Sequence, residues 1–291
     1  MAAVIHVTWN VLLKTAGDPL DSATVGIVAA TAVLAPIALV AWGLAGRPAI
    51  SPQVAGLAVL SGVVETAFFV LLSSAYRRGD LSTVYPTARG TAPLVAVLIG
   101  VVVLGERLGV AGALGVAALL AGLLLLQRPW RLWAGGDPTA RSATLFALAT
   151  GVAIACYSAI DRVGIRLEDG WLYAVLIWPA MATGLALVWA GRRRWASAGR
   201  GGRLPGAMAR REVGRAAVGG LLIMAAYTLI LAAYTMAPLA VVSPLRESAI
   251  VLASAWGIVG LGEATDRADA LRRLGAAAVV VVGIALLVAG G

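Results

Sequence analysis

"AYRRGDLSTVYPTARGTAPLV" at residues 75–95 and "AYTMAPLAVVSPLRESAIVLA" at residues 233–253 lie on each other when the chain is shifted against itself by 158 residues. Ala75, Tyr76 and Pro86 then meet Ala233, Tyr234 and Pro244, and Arg89 meets Glu247. A one-residue adjustment brings "LGE" at 104–106 onto "LGE" at 261–263, and earlier "WNVLLK" (9–14) sits on "YSAIDR" (157–162). Leucine matches are easily found between apolar segments, so the ordered Tyr, Pro and Gly-Glu matches carry the comparison. The two halves read as copies.

What surrounds these motifs is apolar. Of 291 residues 60% are hydrophobic and 13% charged, with a mean hydropathy of +0.92, whereas a soluble chain carries about 25% charge. Apolar runs of the length needed to cross a bilayer, about 17–25 residues, fall near 2–16, 22–46, 54–76, 83–104, 109–126, 143–164, 171–190, 216–236, 241–261 and 274–290. The predicted fold is an all-α polytopic membrane protein, its ten transmembrane helices forming two inverted five-helix repeats around a central cavity. Residues 1–126 form the first repeat, 127–141 a linker and 142–291 the second. Five is odd, so the second repeat enters the membrane in the opposite sense, an arrangement that places a secondary transporter's site near the midplane between repeats. The first run is short, but "HVTWNVLLK" (6–14) offers no small-residue cleavage site of a signal peptide.

Several chemistries lack their residues. One cysteine, Cys156, gives no internal disulfide, and one histidine, His6, gives no zinc cluster or HExxH motif. No GxxxxGK[ST] loop for ATP is present. Neither an enzyme nor a cofactor or metal is expected. The pI near 10.7 does not point to nucleic acid, because the arginines are confined to gaps between apolar runs instead of forming a basic stripe. Most lie after odd-numbered helices, against Arg47, Arg107, Arg162 and Arg166 on the other side. By the positive-inside rule the odd loops are cytoplasmic and both termini face outward, for a multi-pass protein of the cytoplasmic membrane. The loop at 191–215 reads as a topology anchor, with anionic lipid headgroups as the other reading.

The chain resembles the EamA-like branch of the drug/metabolite transporter superfamily. The resemblance rests on "HVTWNVLLK", the run "YRRGDLSTVYP" (76–86) and the two "LGE" helix ends, and extends over nearly the whole chain. It implies ten helices in two repeats, a basket-shaped cavity, and gradient-driven movement of a small metabolite, with export as the direction. Members are often expected with both termini cytoplasmic, opposite to the charge count here.

Charge inside apolar runs is costly and marks a site or a buried pair. Ser243, Glu247, Ile250, Ser254 and Gly257 share one face of the ninth helix, and Tyr85 and Arg89 begin a matching stripe in the fourth. The third helix adds Glu65, with Phe69, Leu72 and Tyr76 on the same face, and the eighth adds Tyr227 and Tyr234. Glu65, Arg89, Arg246 and Glu247 thus balance one another. They are either buried ion pairs that fix the packing or a site where an arginine receives an anionic group, of an amino acid or other carboxylate, while a glutamate exchanges a proton. His6, Asn10 and Lys14 share a face of the first helix beside Trp9, His6 reading as terminal and solvated or interfacial, with a proton relay as the other reading, and Lys14 as a snorkelling anchor. Tyr157 and Asp161 are their counterparts in the sixth helix, where Asp161 beside Arg162 reads as a surface ion pair. Trp9, Trp178 and Trp256 lie deep enough to stack on a substrate or to fill the core. Pro86, Pro93, Pro179 and Pro244 read as interruptions of their helices, and each "LGE" as a glycine helix end followed by a hydrated glutamate. The expected partners are a small-molecule substrate, membrane lipid and a coupling proton. A different class also fits: a non-transporting membrane subunit or lipid-linked flippase partner.

Overall fold

The computed structural model describes residues 2–102, 109–127, 137–167, 170–197, 208–236 and 249–290. Among them are ten α-helices and no strand: α1 (Ala2–Lys14), α2 (Pro19–Leu44), α3 (Pro52–Tyr76), α4 (Leu81–Val102), α5 (Val110–Gln127), α6 (Pro138–Leu167), α7 (Gly170–Ser197), α8 (Arg210–Met236), α9 (Ala249–Val259) and α10 (Arg267–Gly290).

Four helices, α6, α7, α8 and α10, run well past their apolar stretches. α7 continues through Arg192 and Arg193, α8 starts at Arg210 and α10 at Arg267, because hydropathy marks only the lipid-buried part while the backbone ladder persists through the interface. Capping sets several starts. Asp18 accepts the Leu20 and Asp21 amides ahead of Pro19, and Ser51 accepts the Val54 amide ahead of Pro52. α4 runs unbroken through Pro86 and Pro93, and α7 through Pro179, so these prolines do not interrupt their helices as expected; Pro244 lies outside the described residues.

By length and composition six helices can cross a membrane: Pro19–Leu44, Pro52–Tyr76, Pro138–Ile165, Trp171–Ser197, Arg210–Leu229 and Arg267–Gly290. Two shorter apolar helices, Val110–Leu126 and Ala249–Val259, accompany them. α1, with 13 residues, is about 20 Å long at 1.5 Å per residue. α4 carries Ser82, Thr83, Thr87, Arg89 and Thr91, and its Thr87 and Thr91 hydroxyls donate to carbonyls four residues back. The exterior is apolar: Val33, Ile37, Leu39, Val40 and Leu44 of α2 all point outward, the reverse of a protein that meets water on every side.

The most extensive pairings join the first five helices to the last five. α5 packs on α10, α3 on α6 and α7, α2 on α7 and α8, α1 on α8 and α9, and α4 on α6 and α9. Glycine permits the closest crossings: a Cβ on Gly220 of α8 would lie 2.0 Å from the Gly26 carbonyl oxygen of α2, and one on Gly283 of α10 would lie 2.6 Å from the Leu119 amide nitrogen of α5. Small residues let helix backbones touch where apolar side chains gain nothing over lipid.

Candidate functional site

A cavity of about 60 Å³ lies at the centre of the bundle, where one water needs roughly 10–15 Å³ by the same measure. It is lined by His6, Trp9 and Asn10 of α1, Glu65, Phe68, Phe69 and Leu72 of α3, and Tyr85, Ala88 and Arg89 of α4. Thr150, Ile154 and Tyr157 of α6, Trp178 and Met181 of α7, and Ile223, Met224 and Tyr227 of α8 complete the wall. Seven of the residues singled out from sequence therefore meet at one place: Trp9, Asn10, Glu65, Tyr85, Arg89, Tyr157 and Tyr227. Arg246 and Glu247 lie outside the described residues, as does the Tyr234 side chain.

The wall is aromatic, with a few charges set into it. Phe68 stands edge-on to Phe69 and to Tyr157, at 4.9 and 5.7 Å between ring centroids, and Trp9 lies 6.2 Å from Phe69. The Arg89 guanidinium sits over the Tyr85 ring at 5.6 Å, within cation–π range. Asn10 is held from both ends: its side-chain nitrogen donates to the His6 carbonyl at 2.8 Å and its oxygen accepts the Tyr76 hydroxyl at 2.7 Å. Three polar atoms around this cavity find no hydrogen-bond partner among the described residues: Glu65 Oε2, Trp9 Nε1 and Trp178 Nε1. An unpaired buried polar atom costs about 1–3 kcal/mol, so an acceptor and two donors at one cavity form a surface suited to a polar guest.

Several expectations are corrected. Asp161 is no surface residue; it is 4% exposed, accepts Ser61 Oγ at 2.5 Å and the Tyr173 hydroxyl at 3.0 Å on one oxygen, and accepts the Tyr227 hydroxyl on the other. The neighbouring Arg162 suggested an interfacial pair, but the donors come from three other helices, which local reading cannot see. One signal was available: Asp161 follows Tyr157 by four residues, on the same helical face. His6 is buried against the cavity instead of solvated, because α8 and α9 pack over α1. Lys14 does not snorkel. Its Nζ donates to the Tyr76 and Gly79 carbonyls at 2.8 and 2.6 Å, capping the end of α3. Trp256 faces outward and is half exposed, so of the three deep tryptophans only Trp9 and Trp178 reach the cavity. On α9, Ser254 and Gly257 pack against Ser82 of α4 instead of lining the cavity.

The face bearing the loops after odd-numbered helices is tied by ion pairs. Arg192 of α7 meets Asp18 and Asp21, each at 2.9 Å, Arg77 meets Asp18 at 3.4 Å, and Arg273 of α10 joins Asp269 and Asp80, each at 2.9 Å. Burial alone would raise the Asp18 carboxyl, but the Arg192 hydrogen bond, the Asp21 amide, and the charges of Arg192 and Arg77 outweigh it and hold Asp18 below the usual carboxylate range.

Residues 1–128 match the EamA-like transporter family. The match agrees, over this part of the chain, with the resemblance read from the sequence; the EamA-like family is part of the drug/metabolite transporter superfamily. The EamA-like segment supplies Trp9, Asn10, Glu65, Tyr85 and Arg89 to the cavity. A solved structure, titled only as the crystal structure of a protein, aligns with 99% of this chain and 96% of its own, at a TM-score of 0.55 and 18% identity. At that identity the likeness is one of fold, and it extends over both halves. No curated protein matches the chain.

Proposed function

We propose that this protein is a secondary active transporter built as two inverted five-helix repeats, residues 1–126 and 142–291, which moves a small polar metabolite across the cytoplasmic membrane. The helix pairings support the repeat: exchanging α1–α5 with α6–α10 turns α3·α6 into α8·α1, α3·α7 into α8·α2 and α4·α6 into α9·α1, and leaves α2·α7, α4·α9 and α5·α10 unchanged, all of which are present.

The observation that carries the functional reading is a buried cavity furnished with one guanidinium, Arg89, one carboxyl with an unsatisfied oxygen, Glu65, and two unsatisfied indole donors. An amino acid or small carboxylate offers complementary groups: its carboxylate to Arg89 and the indoles, an ammonium to Glu65, and its carbon skeleton to Phe68, Phe69 and Tyr157. Glu65 exchanges a proton when the guest leaves, coupling flux to the proton gradient. Export is the direction the family implies.

The test uses purified protein in liposomes carrying an imposed pH gradient and a mixture of radiolabelled amino acids and small carboxylates. Wild type accumulates at least one component, a protonophore abolishes accumulation, and Glu65→Gln and Arg89→Gln each lower the rate about 100-fold, equivalent to about 2.7 kcal/mol, while the variants elute and unfold like wild type. Absence of gradient-dependent flux for the whole mixture, or flux indifferent to both substitutions, overturns the reading.

A further inference from the structure

The Asp161 cluster has a place in the bundle as well as a bonding pattern. In α3, α6 and α7 the cluster residue lies beyond the cavity lining, toward the face opposite the ion-paired one, and in α8 Tyr227 is the lining residue nearest that face. Ser61 precedes Glu65 and is nearer the start of α3, and Tyr173 precedes Trp178 near the start of α7. Asp161 follows Tyr157 toward the end of α6, and Tyr227 follows Met224 toward the end of α8. α3 and α7 start on the face where α6 and α8 finish, so the four residues form one layer under the cavity. That layer is dense: Ser61 and Tyr173 are fully buried, and a small apolar cluster of Val54, Ala58, Tyr173 and Ile177 packs beside it. Gly164 gives Tyr173 its room, since a Cβ there would lie 2.1 Å from the ring.

We propose that Asp161, with Ser61, Tyr173 and Tyr227, closes the cavity on this face, and that parting of Tyr227 from Asp161 opens it. Tyr227 is the movable member because it alone belongs to both structures: its side chain lines the cavity and its hydroxyl donates to Asp161. Tyr173 and Ser61 are locked by full burial. Asp161 is a positioning residue that holds Tyr227 in the closed arrangement. The closure also differs in kind from the other face, where the ties between helices are arginine–aspartate pairs that water reaches.

The proposal rests on the transport reading, but its test needs no substrate. Ile154→Cys on the cavity wall, in a Cys156→Ala chain, is labelled by a membrane-impermeant maleimide from each side of oriented vesicles. Ile50→Cys and Ala209→Cys, in the loops after α2 and α7, mark the two sides. Tyr227→Phe, which keeps the ring, raises labelling of residue 154 about tenfold from the Ile50 side, equivalent to about 1.4 kcal/mol, and leaves labelling from the Ala209 side unchanged. Asp161→Asn does the same, provided that it elutes as folded protein. Unchanged labelling in Tyr227→Phe, or an equal rise from both sides, overturns the proposal whatever the flux measurements show. A rise from the Ile50 side without flux in any preparation keeps the closure and removes the transport reading.

Discussion

Glu263 accepts the amides of Leu81 and Ser82 at 2.8 and 2.9 Å, from 182 and 181 positions away. The glutamate expected to be hydrated therefore caps α4 from the opposite half of the chain, and Gly257 leaves space for it, since a Cβ there would sit 2.4 Å from its carboxylate. Glu263→Ala strands both donors and should lower stability by about 1–2 kcal/mol, in the range of a lost N-cap, with Glu263→Gln intermediate; thermal unfolding in detergent reads both. Asp18 makes a pH-dependent prediction. Its carboxyl is depressed in the folded state, so its contribution is present above the ordinary value of 3.8 and is lost as pH falls through the lower folded value. Asp18→Asn keeps a capping acceptor but removes the charge, so the gap in unfolding temperature between wild type and variant should be constant above about pH 5 and narrow in stronger acid. At this scale legibility was uneven. Glu65 and Arg89 stood out because charge in the middle of an apolar run is rare, whereas Asp161, near a helix end beside an arginine, looked ordinary until Ser61, Tyr173 and Tyr227 were placed around it.

Helices were legible where lipid dictates their composition, and their ends were not. α2, α3 and α5 fall close to their apolar runs, but α6, α7, α8 and α10 are longer because capping and interfacial arginines extend them. Arg272 shows what those arginines do: it donates to the Leu125 carbonyl at 2.7 Å and so caps the last turn of α5 from α10. The prolines misled because a proline removes one hydrogen bond without obliging the helix to stop, and α4 continues through two of them. The glycines of α5 and α10 predict a sharp sensitivity. Gly283→Leu forces a side chain into the α5 backbone and should cost more than the 1–3 kcal/mol usual for overpacking, seen as loss of monodisperse protein in size-exclusion chromatography. Gly43→Leu, where a Cβ meets nothing within 4 Å, should leave the yield unchanged.

Viewed as a whole, the molecule has few strong contacts within either half. α3 meets α6 and α7, α2 meets α7 and α8, and α5 meets α10, while neighbours such as α2 and α3 touch lightly. The halves should therefore depend on each other for folding. Residues 1–127 expressed alone should be degraded, and co-expression with residues 128–291 should restore both, as immunoblots of membrane fractions would report. The proposed repeat would account for this partnership, since two related sets of five helices can exchange places only by packing on each other.

The cavity draws on α1, α3, α4, α6, α7 and α8, whereas α5 and α10 lie outside its wall. Their seam is glycine against backbone, with Gly115 and Gly122 on one side facing Leu287 and Val280 on the other, and Gly283 returning the contact to Leu119. A joint this close, with backbone and the bases of Leu119, Val280 and Leu287 filling the space over each glycine, has little slack for sliding. The pair is the keel of the molecule, set apart from the six helices that wall the cavity.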